Sequence, residues 1–192
     1  MKRRSLLPVD KLMVEARPIT RTDLEQGMTG PGVYCLRTLP RSNWSDDADV
    51  RDLQQLRQKL YLDLIDRFGT CGLVAVDEDG VAGFTTFFPK ATARRLGFYT
   101  LPESNELENT LVVACIHVTP SKRGCGIGSI LIQGVKDWAA QRGYSAIEAI
   151  GEGQPQYGWH ASAPFLSLGF EVVREQRHGS WCGQMMRCVL EA

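Results

Sequence analysis

The sequence predicts an α/β protein, a mixed sheet flanked by helices on both of its faces. Three observations carry that expectation. The nearly unbroken apolar run "TLVVACIHV", Thr110 to Val118, suits a strand covered on both sides. It leads through a glycine-rich loop into a segment whose apolar residues Ile127, Ile130, Leu131, Val135 and Trp138 recur at helical spacing. Earlier, "CGLVAVDEDGVAGFTTFF" sets two β-rich runs around Asp77-Glu78-Asp79-Gly80, a hairpin signal.

The remaining elements follow in order. "LMVEARPIT" alternates as a first strand, and "TRTDLEQ" reads as a short capped helix. After an irregular, turn-rich stretch, Val50, Leu53, Leu56, Leu60, Leu64 and Ile65 mark a second helix that Gly69 stops. "PKATARRLGFYTLPESNELEN" is a linker whose sequence leaves helix and extended chain open. Beyond the long helix, "YSAIEAI" is a strand, "HASAPFLSLGF" a short helix, and "EVVREQR" with "CGQMMRCVL" a closing hairpin. The expected order is β-α-α-β-β-β-α-β-α-β-β, without internal repeat or linker between domains.

Composition narrows the function classes. A length of 192 residues fits one domain spanning 1–192, large enough to bury a core without disulfides or metal. Apolar residues make up 43% and charged residues 23%, as in soluble globular proteins. Acids and bases balance at 22 each, so no global field favours nucleic acid or a membrane surface. "MKRRSLLPVD" is basic, but Pro8 and Asp10 cut its apolar part short of a signal peptide. No apolar run approaches the roughly 20 residues that span a bilayer. The expected location is the cytoplasm. The six cysteines show no CxxC pair and no histidine at zinc spacing, so they read as free thiols and no metal is expected.

The chemistry concentrates in "IHVTPSKRGCGIGSILIQGVKDW". A helix start presents backbone N–H groups with no partner inside the helix, and the dipole favours an anion there. Glycines at 124, 126 and 128 remove every second Cβ, which lets phosphate oxygens approach, and Lys122 and Arg123 add charge at the mouth. A P-loop would need a Lys-Ser/Thr pair after its last glycine, which is missing. A dinucleotide fingerprint is closer, since Glu148 stands near the ~20-residue spacing of a ribose-binding acid. However, "TPSKR" separates the strand from the first glycine.

"VTPSKRGCGIGSILI" resembles the acetyl-CoA signature of the GCN5-related N-acetyltransferase superfamily, Arg/Gln-x-x-Gly-x-Gly/Ala, here Arg123, Gly126 and Gly128. "FLSLGFEVV" resembles the family's second signature. The resemblance is good over residues 70–190 and loose over 1–69. It implies an acyl-CoA N-acyltransferase-like fold with acetyl-CoA as co-substrate, acting on a small-molecule or peptide amine by direct attack in a ternary complex. A homodimer is a common state of such folds. By analogy the backbone of Ile116, His117 and Val118 pairs with pantetheine as an added strand. The amides of Arg123, Gly124, Cys125, Gly126, Ile127, Gly128 and Ser129 cradle the pyrophosphate.

The same resemblance directs attention to proton transfer. The place of the relatives' acidic tyrosine is taken by Phe165, which has no proton to give. Tyr157, His160, Ser162 or water would have to substitute. The place of the base glutamate is Thr110, with Glu108 two residues earlier. His117 has the intrinsic basicity for the task. The expected catalytic groups are therefore His117, Glu108 and Tyr157. Glu148 reads either as a ligand for a cationic acceptor or as a solvated strand acid, and Trp159 and His160 as acceptor contacts. Two further classes stand beside the acyltransferase: a non-catalytic acyl-CoA sensor, and a nucleotide-binding oxidoreductase.

Overall fold

The computed structural model describes residues 14–25, 50–96, 109–152, 161–178 and 181–191. In chain order the elements are β1 (Glu15–Pro18), α1 (Arg21–Glu25), α2 (Val50–Phe68), β2 (Gly72–Asp77), β3 (Gly80–Pro89), α3 (Lys90–Arg95), β4 (Thr110–Val118), α4 (Ile127–Gln141), β5 (Ala146–Glu152), α5 (Ala163–Leu166), β6 (Glu171–His178) and β7 (Trp181–Val189). The expected order holds, with α3 added at the start of the stretch that the sequence left open; residues 97–108 of that stretch lie outside the described residues. The seven strands form a sheet in the order β1-β2-β3-β4-β5-β7-β6. Among these described strands only the β4–β5 pair is parallel.

Local chemistry explains the element ends. Thr20 and Asp23 cap α1 reciprocally: the Thr20 N–H donates to Asp23 Oδ2 (2.8 Å) and the Asp23 N–H to Thr20 Oγ1 (3.3 Å). A guanidinium fork from Arg17 grips the same carboxylate with two bonds of 2.7 Å, holding its pKa far below the usual range. The β2–β3 turn is the two-residue hairpin that the sequence signals, with Asp77 opposite Gly80.

Two cores sandwich the sheet. On one face α4 packs Ile127, Leu131, Val135 and Trp138 against Leu73, Phe87, Leu111, Val113 and Ile147. On the other, Leu24, Tyr61 and Leu64 of α1 and α2 meet Val74, Phe84, Phe88 and Val112. Each such side chain contributes roughly 1.5–3 kcal/mol when fully buried. β4 feeds both cores, which is why its sequence is apolar throughout. Of the expected α2 stripe Leu64 is buried and Leu60 and Ile65 pack partly buried against the core on that face, but Arg57 and Tyr61 are buried as well and Leu56 is 45% exposed. No helix among the described residues is long and apolar enough to cross a membrane.

The sheet is not closed along its whole length. β4 and β5 pair only from Thr110↔Ala146 to Val113↔Ala149, although both strands continue. The cause lies on the other edge of β4. There Cys115 faces Thr86 and Val113 faces Phe87, so Ala114 is an extra residue, a bulge. The Thr85 hydroxyl donates to the Cys115 carbonyl (2.8 Å) and fixes the bulge in place. Beyond it, residues 114–118 of β4 diverge from residues 150–152 of β5.

Candidate functional site

The opening between β4 and β5 faces the start of α4. Strand alternation decides which backbone groups line it. The Thr119 N–H donates to the Ala82 carbonyl (2.9 Å), and Val118 lies opposite Gly83. His117 therefore turns its backbone toward β3, while Ile116 and Val118 turn theirs toward β5. Of the three residues expected to pair through their backbone, two are oriented to do so. The first turn of α4 lies over this end of the sheet: a Cβ at Gly128 would stand 4.0 Å from Val118 Cγ2, and one at Gly83 of β3 would stand 3.1 Å from Ile127 Cγ2.

The glycine loop delivers the helix start without a side-chain cap. Gly126, at φ 82°, is the N-cap and offers no side-chain cap to the first-turn amides. Gly124 also has positive φ, 80°. Left-handed backbone at both positions costs a β-carbon-bearing residue roughly 1–2 kcal/mol, which explains the glycines independently of any ligand. The amides of Ile127, Gly128 and Ser129 belong to the first turn of a 15-residue helix and point outward along its dipole. Exposed Cys125 sits between the two glycines.

The charges at the mouth differ from expectation. Lys122 does not stand free: its ammonium contacts Asp77 (2.8 Å) and Asp79 (2.5 Å) of the β2–β3 turn. Those hydrogen bonds raise its pKa, and Lys122 lowers that of Asp77. Lys122 is thus a clip between loop and hairpin. Arg123 is exposed, its Nε donating to the Val118 carbonyl (3.3 Å), and remains the cation at the loop. We expect Lys122→Met to change acetyl-CoA affinity less than about threefold and Arg123→Met to weaken it more, as calorimetric titration of both variants would read.

On the face away from α4, the half-buried His117 ring stacks on Phe84 with centroids 5.4 Å apart. Burial, and then the charge of Arg123, push its pKa below the ordinary value. Glu148 is neither a solvated acid nor an open ligand. It is buried, bonded by Lys90 Nζ at 2.5 Å, with Arg187 Nη1 at 3.8 Å. Thr110 lies at the closed end of the β4–β5 pair, about 13 Å of strand from Ala114. Phe165 is buried edge-on to Phe170 (5.2 Å) in the α4-side core. Glu108, Tyr157, Trp159 and His160 lie outside the described residues.

The structure therefore brings together Ile116, His117, Val118 and residues 123–129, and sets Glu148 one register step before the last β4–β5 pair, Val113↔Ala149. Sequence reasoning missed Lys90 and Arg187 as partners of Glu148. The signal was present: an acid inside the apolar run "SAIEAIG" of a central strand implies a buried cation. Among the described residues, no three His, Cys, Asp or Glu side chains converge as a metal site would require.

A family model described as the acetyltransferase (GNAT) family matches residues 34–170. A comparison with curated proteins finds no match. Similar solved structures include an N-acetyltransferase from Staphylococcus aureus Mu50 at 16% identity and TM-score 0.61, covering 93% of this chain and 99% of that one. Salmonella typhimurium yncA, solved with its cofactor acetyl-CoA, is 19% identical with TM-score 0.60 over 93% and 94% of the two chains. The ribosomal-protein-alanine N-acetyltransferase from Brucella melitensis is 22% identical with TM-score 0.59 over 92% and 99%. At these identities the likeness is one of fold.

Proposed function

The chain belongs to the acetyltransferase (GNAT) family, and from that premise we propose that it transfers an acetyl group from acetyl-CoA to the amine of a small molecule or peptide. The observation that carries this reading is the juxtaposition of an uncapped helix start with a strand pair that separates beside it. The residues fit the group. Outward amides of the α4 first turn suit a diphosphate, and the edges of Ile116 and Val118 suit the amides of pantetheine. Acetyl-CoA supplies an activated acyl carbon and a sulfur leaving group.

The chain supplies position and proton transfer. Residues 126–129 and the edge of β4 hold one reactant from the α4 side, so the acceptor enters from the face that carries His117. Fixing both reactants can contribute up to roughly 7–11 kcal/mol. The depressed pKa keeps the His117 imidazole neutral at pH 7, ready to take a proton from the attacking ammonium. A group whose folded pKa is lowered this way loses its basic form only at acid pH. The rate then falls only at a pH lower than the ordinary histidine value of about 6.5. His117→Ala should lower kcat roughly 100-fold at pH 7 and flatten that limb. A pH–rate profile identical to wild type would remove His117 from the role.

Calorimetric titration with acetyl-CoA, with NAD as control, followed by mass analysis of an amine library, tests the whole reading. Heat from acetyl-CoA and a mass gain on an amine are expected; heat from NAD alone would transfer the site to dinucleotides. The buried phenyl ring of Phe165 favours a second reading, an acyl-CoA sensor. Binding without turnover of any amine would decide for it.

A further inference from the structure

β6 forms one edge of the sheet. Among the described residues no strand lies beyond it, so its outer N–H and C=O groups have no strand partner. Its eight residues, Glu171–His178, include neither proline nor lysine, which commonly keep such an edge from pairing. Glu171, Val172, Val173, Arg174 and Glu175 are all exposed. Val172 at 38% and Val173 at 48% are apolar surface that packing within the chain leaves uncovered. The register with β7 decides where the charges point. Glu171 lies opposite Arg187 and Arg174 opposite Met185, with Val173 left over as an extra residue. On a regular strand, residues three apart point to opposite faces. Here the extra residue brings Glu171 and Arg174 to one face, that of Arg187, while Val172 shares the α4 face with Met186.

The segment Glu-Val-Val-Arg is thereby complementary to itself. Laid antiparallel against a second copy, with a two-fold axis between residues 172 and 173, each Glu171 faces Arg174 of the other copy. The valines of both copies lie between these two pairs. Cross-strand pairs of opposite charge and of β-branched side chains both stabilise a sheet. Registers centred on Arg174 or on Glu175 would set like charges face to face, which destabilises. One centred on Gln176 would need Glu175, which Gln184 (3.3 Å) and Arg177 (3.8 Å) of its own chain already engage. We propose that the chain forms a homodimer by antiparallel pairing of β6 with β6 of a second copy, joining the two sheets into one. The β4–β5 opening lies on the edge of β5 away from β7 and β6. Pairing therefore leaves the opening of each copy uncovered, and the proposal does not depend on the acyltransferase reading.

Sedimentation velocity on the full chain, over roughly 1 μM to 1 mM, reads the assembly. Wild type is expected to pass from monomer to dimer within this range. Glu171→Arg and Arg174→Glu each replace two attractions by two repulsions, and each is expected to weaken the dimer about tenfold or more. Both side chains are exposed, so each variant keeps its fold, as a thermal melt beside wild type would show. An equimolar mixture of the two variants restores the dimer, because every facing pair is again an acid opposite a base. The doubly swapped chain, Glu171→Arg with Arg174→Glu, dimerises with itself for the same reason. A wild-type chain that stays monomeric throughout the range overturns the proposal. So does a dimer that neither single substitution weakens, or a mixture of the variants that remains monomeric.

Discussion

Gly126→Val is expected to bind acetyl-CoA roughly a thousandfold more weakly than wild type while the sheet stays intact. The estimate has two parts. A Cβ at Gly126 meets nothing within 4 Å in the protein, so the fold pays only for left-handed backbone at a branched residue, roughly 1–2 kcal/mol. In a protein of this size that lowers Tm by a few degrees. The ligand loses much more. A side chain projecting over the α4 start keeps phosphate from the first-turn amides, and each charge-assisted hydrogen bond is worth roughly 1.5–3 kcal/mol. Losing two gives about 3–6 kcal/mol, centred near a thousandfold. Calorimetry with acetyl-CoA beside a thermal melt reads both parts. A folded variant with wild-type affinity would show that the diphosphate does not sit at this helix.

The second large effect is on stability. Lys90 and Glu148 are both buried, and their 2.5 Å contact spans from the end of β3 across β4 to β5. Removing one member of such a pair leaves a buried charge, which typically costs 3–5 kcal/mol. The two members are not equivalent. Lys90→Met leaves Glu148 with Arg187 at 3.8 Å, whereas Glu148→Leu leaves two cations facing each other. Glu148→Leu is therefore expected at about 4–5 kcal/mol and Lys90→Met nearer 3, in urea unfolding at constant m-value. The double variant, which replaces the pair by hydrocarbon, should cost less than either sum predicts. Additive losses would mean that the two charges are held by other groups and do not depend on each other.

What the sequence reveals about this site follows how local each feature is. The α4 stripe, the hairpin turn and the loop glycines were legible because periodicity and turn chemistry act within a few residues. α3 was not, because "KATARR" is too short for a period to show. The Ala114 bulge left no mark at all: "ACIHV" holds no glycine or proline, and the extra residue exists only relative to the register of β3. Without the bulge the separation of β4 from β5 could not be foreseen from this chain, only expected by resemblance. Lys122 misled because its sequence neighbours are the loop, while its partners Asp77 and Asp79 lie across the hairpin.

Ala114 has one more effect, on the phase of its strand. Counted in steps of two from Leu111 and Val113, which face α4, residue 117 would also lie beneath that helix. The inserted residue reverses the count: Ile116 and Val118 join the α4 side, and His117 emerges opposite, against Phe84. A change of one residue in length between Val113 and His117 would thus exchange a basic ring for hydrocarbon on the face away from α4. Chain length at this point acts as a coordinate of the chemistry.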